Sequence, residues 1–597
     1  MLLRSPPGFP QVRRALLQLL IVFLVGLSLA AVWTWPLLPN LGTSLPFDPN
    51  SAGPSGSDMH IWTWNFWWAG EAATGGGQSF RSDAIFPPLG HSLAFHTHSF
   101  LYGLVTLPLQ WLGGAAFAVG MALLLLPAAA FTATFALARE LGSSRFAAGV
   151  AAFGWAFAPY FLQKGLEHLC FVASPWPPLL VLFLLRWMGP GRSWPAALGA
   201  GVVAGLALLS GSMVGLFLVL LGLAVAAFAP SAFLGSGGEQ DEADAPRSLR
   251  RRLFEPGPLL LFLVAAGTLS LPLLTEARSE ALDLAEFEAR HAQSADFFAR
   301  DVALRPQLGD FLRLSAQHPL AALPDEPMPG WNEVSALHVS GVLIVLAALA
   351  LARGRRLWAW LGIALLFLLL SWDPVLAEAD GGVFSALYRR LPFLDALRVP
   401  SRFLPLALLP LCLLAGLGFD SLRRRSHIAA GLLLGLLVVE QWNRAVPLMD
   451  ITPPPAVAAL EATPRRPGGG DTVLSLPVQM GASHAMTWQS VHGRPVLFSF
   501  VSRTNPRALR YWMETAPDLF ALVMPRPTRD GGVYVPGAEA LSIDLEGLGI
   551  GDVLVDEAAF DAAGPGLLAV LTELLDSMPG WERQAADGRV AWWRKVA

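Results

Sequence analysis

Eleven apolar runs, each of at least about 16 residues, set what this chain can fold into. They lie near 15–37, 114–137, 145–162, 168–188, 195–210, 212–230, 257–275, 336–353, 357–372, 402–419 and 428–446. In hydrocarbon a segment must satisfy its own backbone hydrogen bonds, and a helix does so without help from its neighbours. The expected fold is therefore mainly α, a polytopic transmembrane helix bundle of about eleven spans. Composition agrees, with 54% hydrophobic and 14% charged residues against roughly 25% charged in an average soluble domain. A formal net charge of -4 leaves no basic surplus to neutralise phosphates along a nucleic acid, so that partner class is set aside.

Arginine placement gives the direction of threading. Arg4, Arg13 and Arg14 precede the first run as in a signal peptide, but the apolar stretch continues to about residue 38 without a convincing cleavage site, which reads as an uncleaved signal anchor. A twelfth candidate, 99–112, is short and is set off only by Gly113 and Gly114. If it does not cross, Arg139, Arg145, Arg186, Arg192, Arg247, Arg250 to Arg252, Arg353, Arg355, Arg356 and Arg423 to Arg425 all share the cytoplasm with the N-terminus. If it crosses, the clusters from Arg139 to Arg252 fall outside. The segment is accordingly read as interfacial or re-entrant, and the chain as N-in and C-out in a cell inner (plasma) membrane. Loops 38–113, 276–335 and 373–401 then face outward with the tail.

The helical part is expected over 1–446 and an extracytoplasmic α/β domain over 447–597, with Pro453, Pro454 and Pro455 as the linker. Stretches 471–477, 551–556 and 590–593 look like strands, and 565–576 like a helix. The stretch 235–246, rich in Gly, Glu and Asp, reads as a disordered cytoplasmic loop. Cys170 and Cys412 both lie inside apolar runs, where a thiol behaves as a small buried hydrophobe.

Ionisable groups are costly near lipid unless they face water or a partner, so the polar clusters at the outer ends of spans carry the functional reading. The first outer loop holds Asp58, His60, Trp62, Trp64, Asn65, Trp67 and Trp68, then Asp83, His91, His96 and His98. Ser57 is a good N-cap for a helix over 58–71, whose tryptophans suit a helix lying flat at the membrane interface. Asp58 is then either a capping acid or a functional carboxylate. Gln163, Lys164, Glu167 and His168 crowd the short turn between the third and fourth spans, where they line a cavity or anchor the interface. Arg389, Arg390, Arg398 and Arg402 break the charge rule by standing outside, as an anionic lipid phosphate would require, although pairing with Asp395 or ordinary headgroups also accounts for them. Glu440 is expected to pair with Arg444. His484, Gln489, His492, Arg494 and Arg503 in the tail read as ordinary domain surface.

An acid early in a long first outer loop, a polar turn between spans three and four, and a long outer loop after span seven resemble the GT-C superfamily. That superfamily includes oligosaccharyltransferases, protein O-mannosyltransferases and aminoarabinose transferases. The phrases at 58–60 with Trp64 and Asn65, at 86–90, and at 397–403 also resemble uncharacterised bacterial multi-spanning proteins placed beside these enzymes. The resemblance covers about 1–450 and implies an inverting glycosyltransferase. Its donor would be a polyprenyl-phosphate sugar in the lipid, and its acceptor an extracytoplasmic glycan, lipid or protein.

The superfamily's acid of the first outer loop falls on Asp58, the implied catalytic base, and its second acidic position falls on Glu167 with His168 beside it. His60, Asn65, Lys164, Glu167 and His168 are the substrate-binding candidates around Asp58, with Arg398 and Arg402 for the leaving phosphate. Neither place carries an Asp-x-Asp pair. A divalent metal held by Asp58, His60, His96 and His98 is an alternative, because His-x-His puts both rings on one face of a strand and imidazole suits zinc. A noncatalytic assembly or scaffold protein and a lipid or glycan transporter are the rival classes; a transporter should show charged or broken helices at mid-depth, which most of these runs lack.

Overall fold

The computed structural model describes residues 9–49, 56–189, 193–228, 252–288, 308–321, 336–354, 357–372, 400–466, 470–478, 483–499, 506–523, 535–563, 566–586 and 588–596. Arg389, Arg390, Asp395, Arg398, Arg503 and the stretch 235–246 lie outside them, as does most of loop 276–335.

Among the described residues seven helices are long and apolar enough to cross a membrane: Val12–Trp33, Leu107–Glu140, Arg145–Gly165, Leu169–Met188, Ser193–Ser210, Pro256–Ala281 and Pro400–Arg425. Four shorter apolar helices, Ser212–Phe228, Gly341–Leu351, Trp358–Trp372 and His427–Glu440, coincide with the remaining apolar runs. This is a membrane protein built mostly of helices. The first helix, α1 (Phe9–Trp33), leaves Leu16, Leu17, Leu20, Ile21 and Leu24 exposed and buries Ala30 and Trp33. An unbroken apolar stripe of this kind is solvated by acyl chains.

Three further helices lead into the bundle: α2 (Met59–Ala73), α3 (Phe100–Val105) and α4 (Leu107–Glu140). The stretch 99–112 is divided between α3 and the first leg of α4, because Gly114 breaks α4 with φ 82° and ψ 174°. Only glycine takes that conformation without steric cost. Each leg is about 10 Å long, far short of a hydrocarbon core of about 30 Å. Two more helices, α5 (Arg145–Ala156) and α6 (Pro159–Gly165), end at the polar turn.

Short strands clasp the bundle: β1 (Ser44–Pro46) pairs antiparallel with β4 (Leu448–Asp450), and β2 (Arg81–Ser82) with β3 (His91–Ser92). The tail forms a four-stranded sheet of order β5-β6-β8-β7. Strands β5 (Thr472–Leu476) and β6 (Ile550–Asp556) are parallel, and β8 (Val590–Lys595) runs antiparallel to β6 and to β7 (Trp581–Ala586). Three strands and the helix Leu567–Asp576 fall where the sequence places them. Strand β7 has no alternating apolar pattern and is mostly exposed, as an edge strand can be.

The described residues form two large apolar cores. The bundle core takes Met59, Trp62 and Phe66 from α2, and the tail core takes Ile61, Trp64 and Trp68 from the same helix, together with Ile85, Phe86 and Leu93 of loop 38–113. The expectation of a helix flat on the membrane is therefore corrected: Trp62 and Trp64 are 1% and 0% exposed. With large apolar side chains all round, α2 has no polar face to offer headgroups, and such a helix is stable only when enclosed.

Candidate active site

The first turn of α2 uses its two polar residues differently. Ser57 Oγ accepts the amide of Met59 at 3.2 Å, whereas Asp58, the N-cap by backbone position, makes no side-chain cap bond. The Asp58 carboxylate instead faces His168, with Oδ2 3.4 Å from Nδ1, and the two side chains are 31% and 24% exposed. A carboxylate left out of the cap and open to solvent is reachable by a substrate.

His168 is held there by a tight turn. After α6 the carbonyl of Lys164 accepts the amides of Glu167 at 3.1 Å and His168 at 2.6 Å. Glu167 points inward: Oε1 accepts the amide of Asp48 at 2.8 Å, and Oε2 accepts the amide of Asp58 at 2.9 Å and the Ser57 hydroxyl at 3.0 Å. Its carbonyl accepts the Trp62 indole at 2.9 Å, and Gln163 donates to Asp48 Oδ2 at 2.9 Å. Burial pushes the Glu167 carboxyl up to about 8, against the pull of the Asp48 amide, with the Asp58 charge adding to the rise. Lys164, Gln163 and Glu167 are all buried, so this turn is not a set of headgroup anchors.

Arg402 approaches the same segment from the helical turn Pro400–Phe403. Its guanidinium carbon lies 5.0 Å from the centre of the Phe171 ring, a cation–π contact, and Nη1 is 3.9 Å from Met213 Sδ. The carboxylate at 58 and the guanidinium at 402 thus flank one stretch, His168 to Phe171. Arg398 lies outside the described residues.

Other candidates from the first outer loop go elsewhere. His60 Nδ1 is 2.7 Å from Thr487 Oγ1 in the tail, and Asn65 donates to the carbonyl of Thr97 at 2.7 Å. His98 Nε2 is 3.3 Å from Ser212 Oγ, and His96 packs edge-on against Trp64. His96 and His98 stand in a turn rather than a strand, with the amide of His98 donating to the carbonyl of His96 at 2.8 Å, so the shared-face argument for a metal does not apply. Burial lowers His96 to about 3 and His98 to about 4. Among the described residues no three His, Cys, Asp or Glu side chains gather to hold a metal ion, so Asp58, His60, His96 and His98 do not form a ligand set.

Two further expectations are corrected. Among the described residues Glu440 makes no ion pair with Arg444; it accepts from the Ser340 hydroxyl and, at 3.3 Å, from the amide of Val342. Arg444 donates to the carbonyls of His318 at 2.8 Å and Ala321 at 3.0 Å. In the tail, His484, Gln489, His492 and Arg494 are buried rather than on the surface. Gln489 Oε1 accepts the Trp64 indole at 2.8 Å, and Arg494 Nη1 lies 3.0 Å from Asp471 and 3.7 Å from Asp552. His484 Nε2 is 3.0 Å from Asp556 at the end of β6. Asp48 and Thr487 escaped the sequence reading because their partners lie more than a hundred residues away.

Among solved structures, a variant of the arabinofuranosyltransferase AftD from Mycobacteria matches with a TM-score of 0.51 and 16% identity, covering 97% of this chain and 41% of that one. The archaeal oligosaccharyltransferase AglB from Archaeoglobus fulgidus, in complex with an inhibitory peptide and a dolichol-phosphate, matches at 0.44 and 13% identity over 96% of this chain and 74% of that one. ArnT from Cupriavidus metallidurans bound to undecaprenyl phosphate matches at 0.39 and 14% identity, covering 99% of each chain. No family model and no curated protein matches the chain. Its fold is that of the GT-C glycosyltransferases, as the sequence resemblance implies. It spans 41% of the length of AftD.

Proposed function

We propose that the protein is an inverting glycosyltransferase that moves a sugar from a polyprenyl-phosphate donor to an acceptor on the non-cytoplasmic side of the membrane. The observation that carries the reading is the uncapped, part-exposed Asp58 carboxylate beside His168, with the Arg402 guanidinium on the neighbouring Phe171. In this reading Asp58 takes the proton of the acceptor's nucleophile as that atom bonds to the anomeric carbon. The bond from that carbon to the phosphate oxygen breaks on the opposite face, and its electron pair leaves with the polyprenyl phosphate. An aspartate of pKa about 4 is a weak base, so stabilisation of the leaving group must supply most of the rate. Arg402 gives a permanent cation for it, and Arg398 is assigned beside it from the sequence.

The packing supports an eleven-span threading that puts 38–113 and 447–597 on one side of the membrane, and the arginine placement favours that side as the outside. Loop 38–113 and the tail share one core, so an even number of crossings must separate them. The ten apolar helices after α1 meet that condition when 99–112 does not cross.

The test is sugar transfer by purified protein in detergent, offered a panel of polyprenyl-phosphate sugars. Asp58→Asn is expected to abolish turnover while preserving the fold, because no cap bond is lost. Arg402→Ala should lower the rate roughly a hundred- to thousandfold, the usual cost of losing one preorganised charge-stabilising group. Wild-type turnover in Asp58→Asn refutes the base assignment.

A further inference from the structure

We infer that Glu167 is a positioning residue that grips the main chain on which Asp58 is mounted. The inference rests on the transferase reading only for its kinetic consequence. Superfamily resemblance sets Glu167 in the place of a second acid that would meet substrate, yet each of its carboxylate oxygens already accepts from the protein.

The donors come from both ends of one loop segment. Asp48 brings its amide to Oε1, while Asp58 and Ser57 bring an amide and a hydroxyl to Oε2. The Ser57 hydroxyl in turn accepts from Met59, so the clasp continues into the first turn of α2. Its base is rigid: the Glu167 carbonyl is fixed by the Trp62 indole, and Gln163 secures Asp48 from the same helix–turn unit. The next residue, His168, meets the Asp58 carboxylate. Consecutive residues of one turn therefore hold the backbone and the side chain of the proposed base.

Shape decides in this clasp. Ionised, or protonated toward the Ser57 hydroxyl, a carboxyl group accepts an amide on each oxygen, whereas a glutamine presents one oxygen and one NH2 group. With its oxygen toward Asp58 and Ser57, the NH2 of a glutamine would face the Asp48 amide, donor against donor. Flipped, it would face the Asp58 amide and the Ser57 hydroxyl. Glu167→Gln can thus serve one side of the clasp at a time.

The experiment reads hydrogen exchange at single amides in the full-length protein in detergent, together with binding of undecaprenyl phosphate as the probe and sugar transfer. In the wild type the amides of Asp48 and Asp58 should exchange at least a hundredfold more slowly than in an unstructured peptide. In Glu167→Gln at least one of them should exchange tenfold faster or more. Probe binding and donor KM should stay within twofold, and kcat should fall at least tenfold, while the double variant with Asp58→Asn should be no less active than Asp58→Asn alone. Unprotected amides in the wild type overturn the inference without any variant, which covers the case where Glu167→Gln does not fold. Unchanged exchange in Glu167→Gln with tenfold weaker probe binding also overturns it and makes Glu167 a ligand contact. Absence of turnover in a wild type whose amides are protected would instead defeat the transferase reading and leave the clasp standing.

Discussion

Replacing Gln489 with leucine should loosen the seam between the tail and loop 38–113, and the size of the effect follows from who loses a partner. The Gln489 amide accepts the Trp64 indole at 2.8 Å and donates to the carbonyls of Ala84 at 2.6 Å and Arg494 at 3.1 Å. Ala84 keeps a second donor, the amide of Val496 at 2.9 Å, so its carbonyl stays paired. The Trp64 N–H and the Arg494 carbonyl lose their Gln489 partner in a site where Trp64 and Gln489 are both 0% exposed. Each buried unsatisfied group costs about 1–3 kcal/mol, so the seam should weaken by about 2–6 kcal/mol, and the midpoint corresponds to about a thousandfold in a local opening equilibrium. Hydrogen exchange at Phe86 and Val496, whose amides bond across the seam at 3.2 Å and 2.9 Å, reports that opening directly. Amides inside the helix Leu404–Arg425 serve as the control and should not change. Protection at Phe86 and Val496 within threefold of the wild type would refute the claim that Gln489 ties the two parts together.

Acid should weaken loop 38–113 and the tail selectively. Burial holds His96 and His492 down to about 3 and His98 to about 4, so all three fold neutral while the unfolded chain takes up protons below about 6.5. Their contribution is complete above pH 6.5 and is lost as pH falls toward the folded values, by about 2 kcal/mol for each histidine at pH 5. Tryptophan emission during thermal unfolding at pH 7 and pH 5 checks this, and equal midpoints would contradict it. Gly418→Ala should expel the helix Leu404–Arg425 from its seat, since a Cβ there would run into the Leu346 carbonyl oxygen. Overpacking of that kind costs about 1–3 kcal/mol or more, and a lower yield of monodisperse protein on size exclusion is the expected result.

The bundle was legible because a membrane span announces itself by length and apolarity, and every run read from the sequence contains a helix. Strands β5, β6 and β8 were legible because their residues are buried almost throughout, which demands a dense apolar pattern. The pairing of Glu440 with Arg444 failed for a local reason: the i, i+4 rule holds on a helix surface, and this helix ends at Glu440. Gln489 and Arg494 were misread as surface because polar side chains look alike in sequence whether water or distant partners satisfy them. Gln489 finds Trp64 across 425 positions, and no local pattern encodes such a contact. Asp58 stood out correctly as an acid at a helix start, but only coordinates distinguish a carboxylate that caps from one that faces His168.

The pairing of β1 with β4 has a consequence for how the molecule is made. Residue 46 leaves the ribosome long before its partner 448, and at about 5–20 residues per second the wait is roughly 20–80 seconds. During that interval loop 38–113 has been made while neither β4 nor the tail sheet exists to receive it. Trp64 and Trp68 of α2, which belong to the tail core, are therefore buried only after the tail has been made, whereas Trp62 can pack in the bundle earlier.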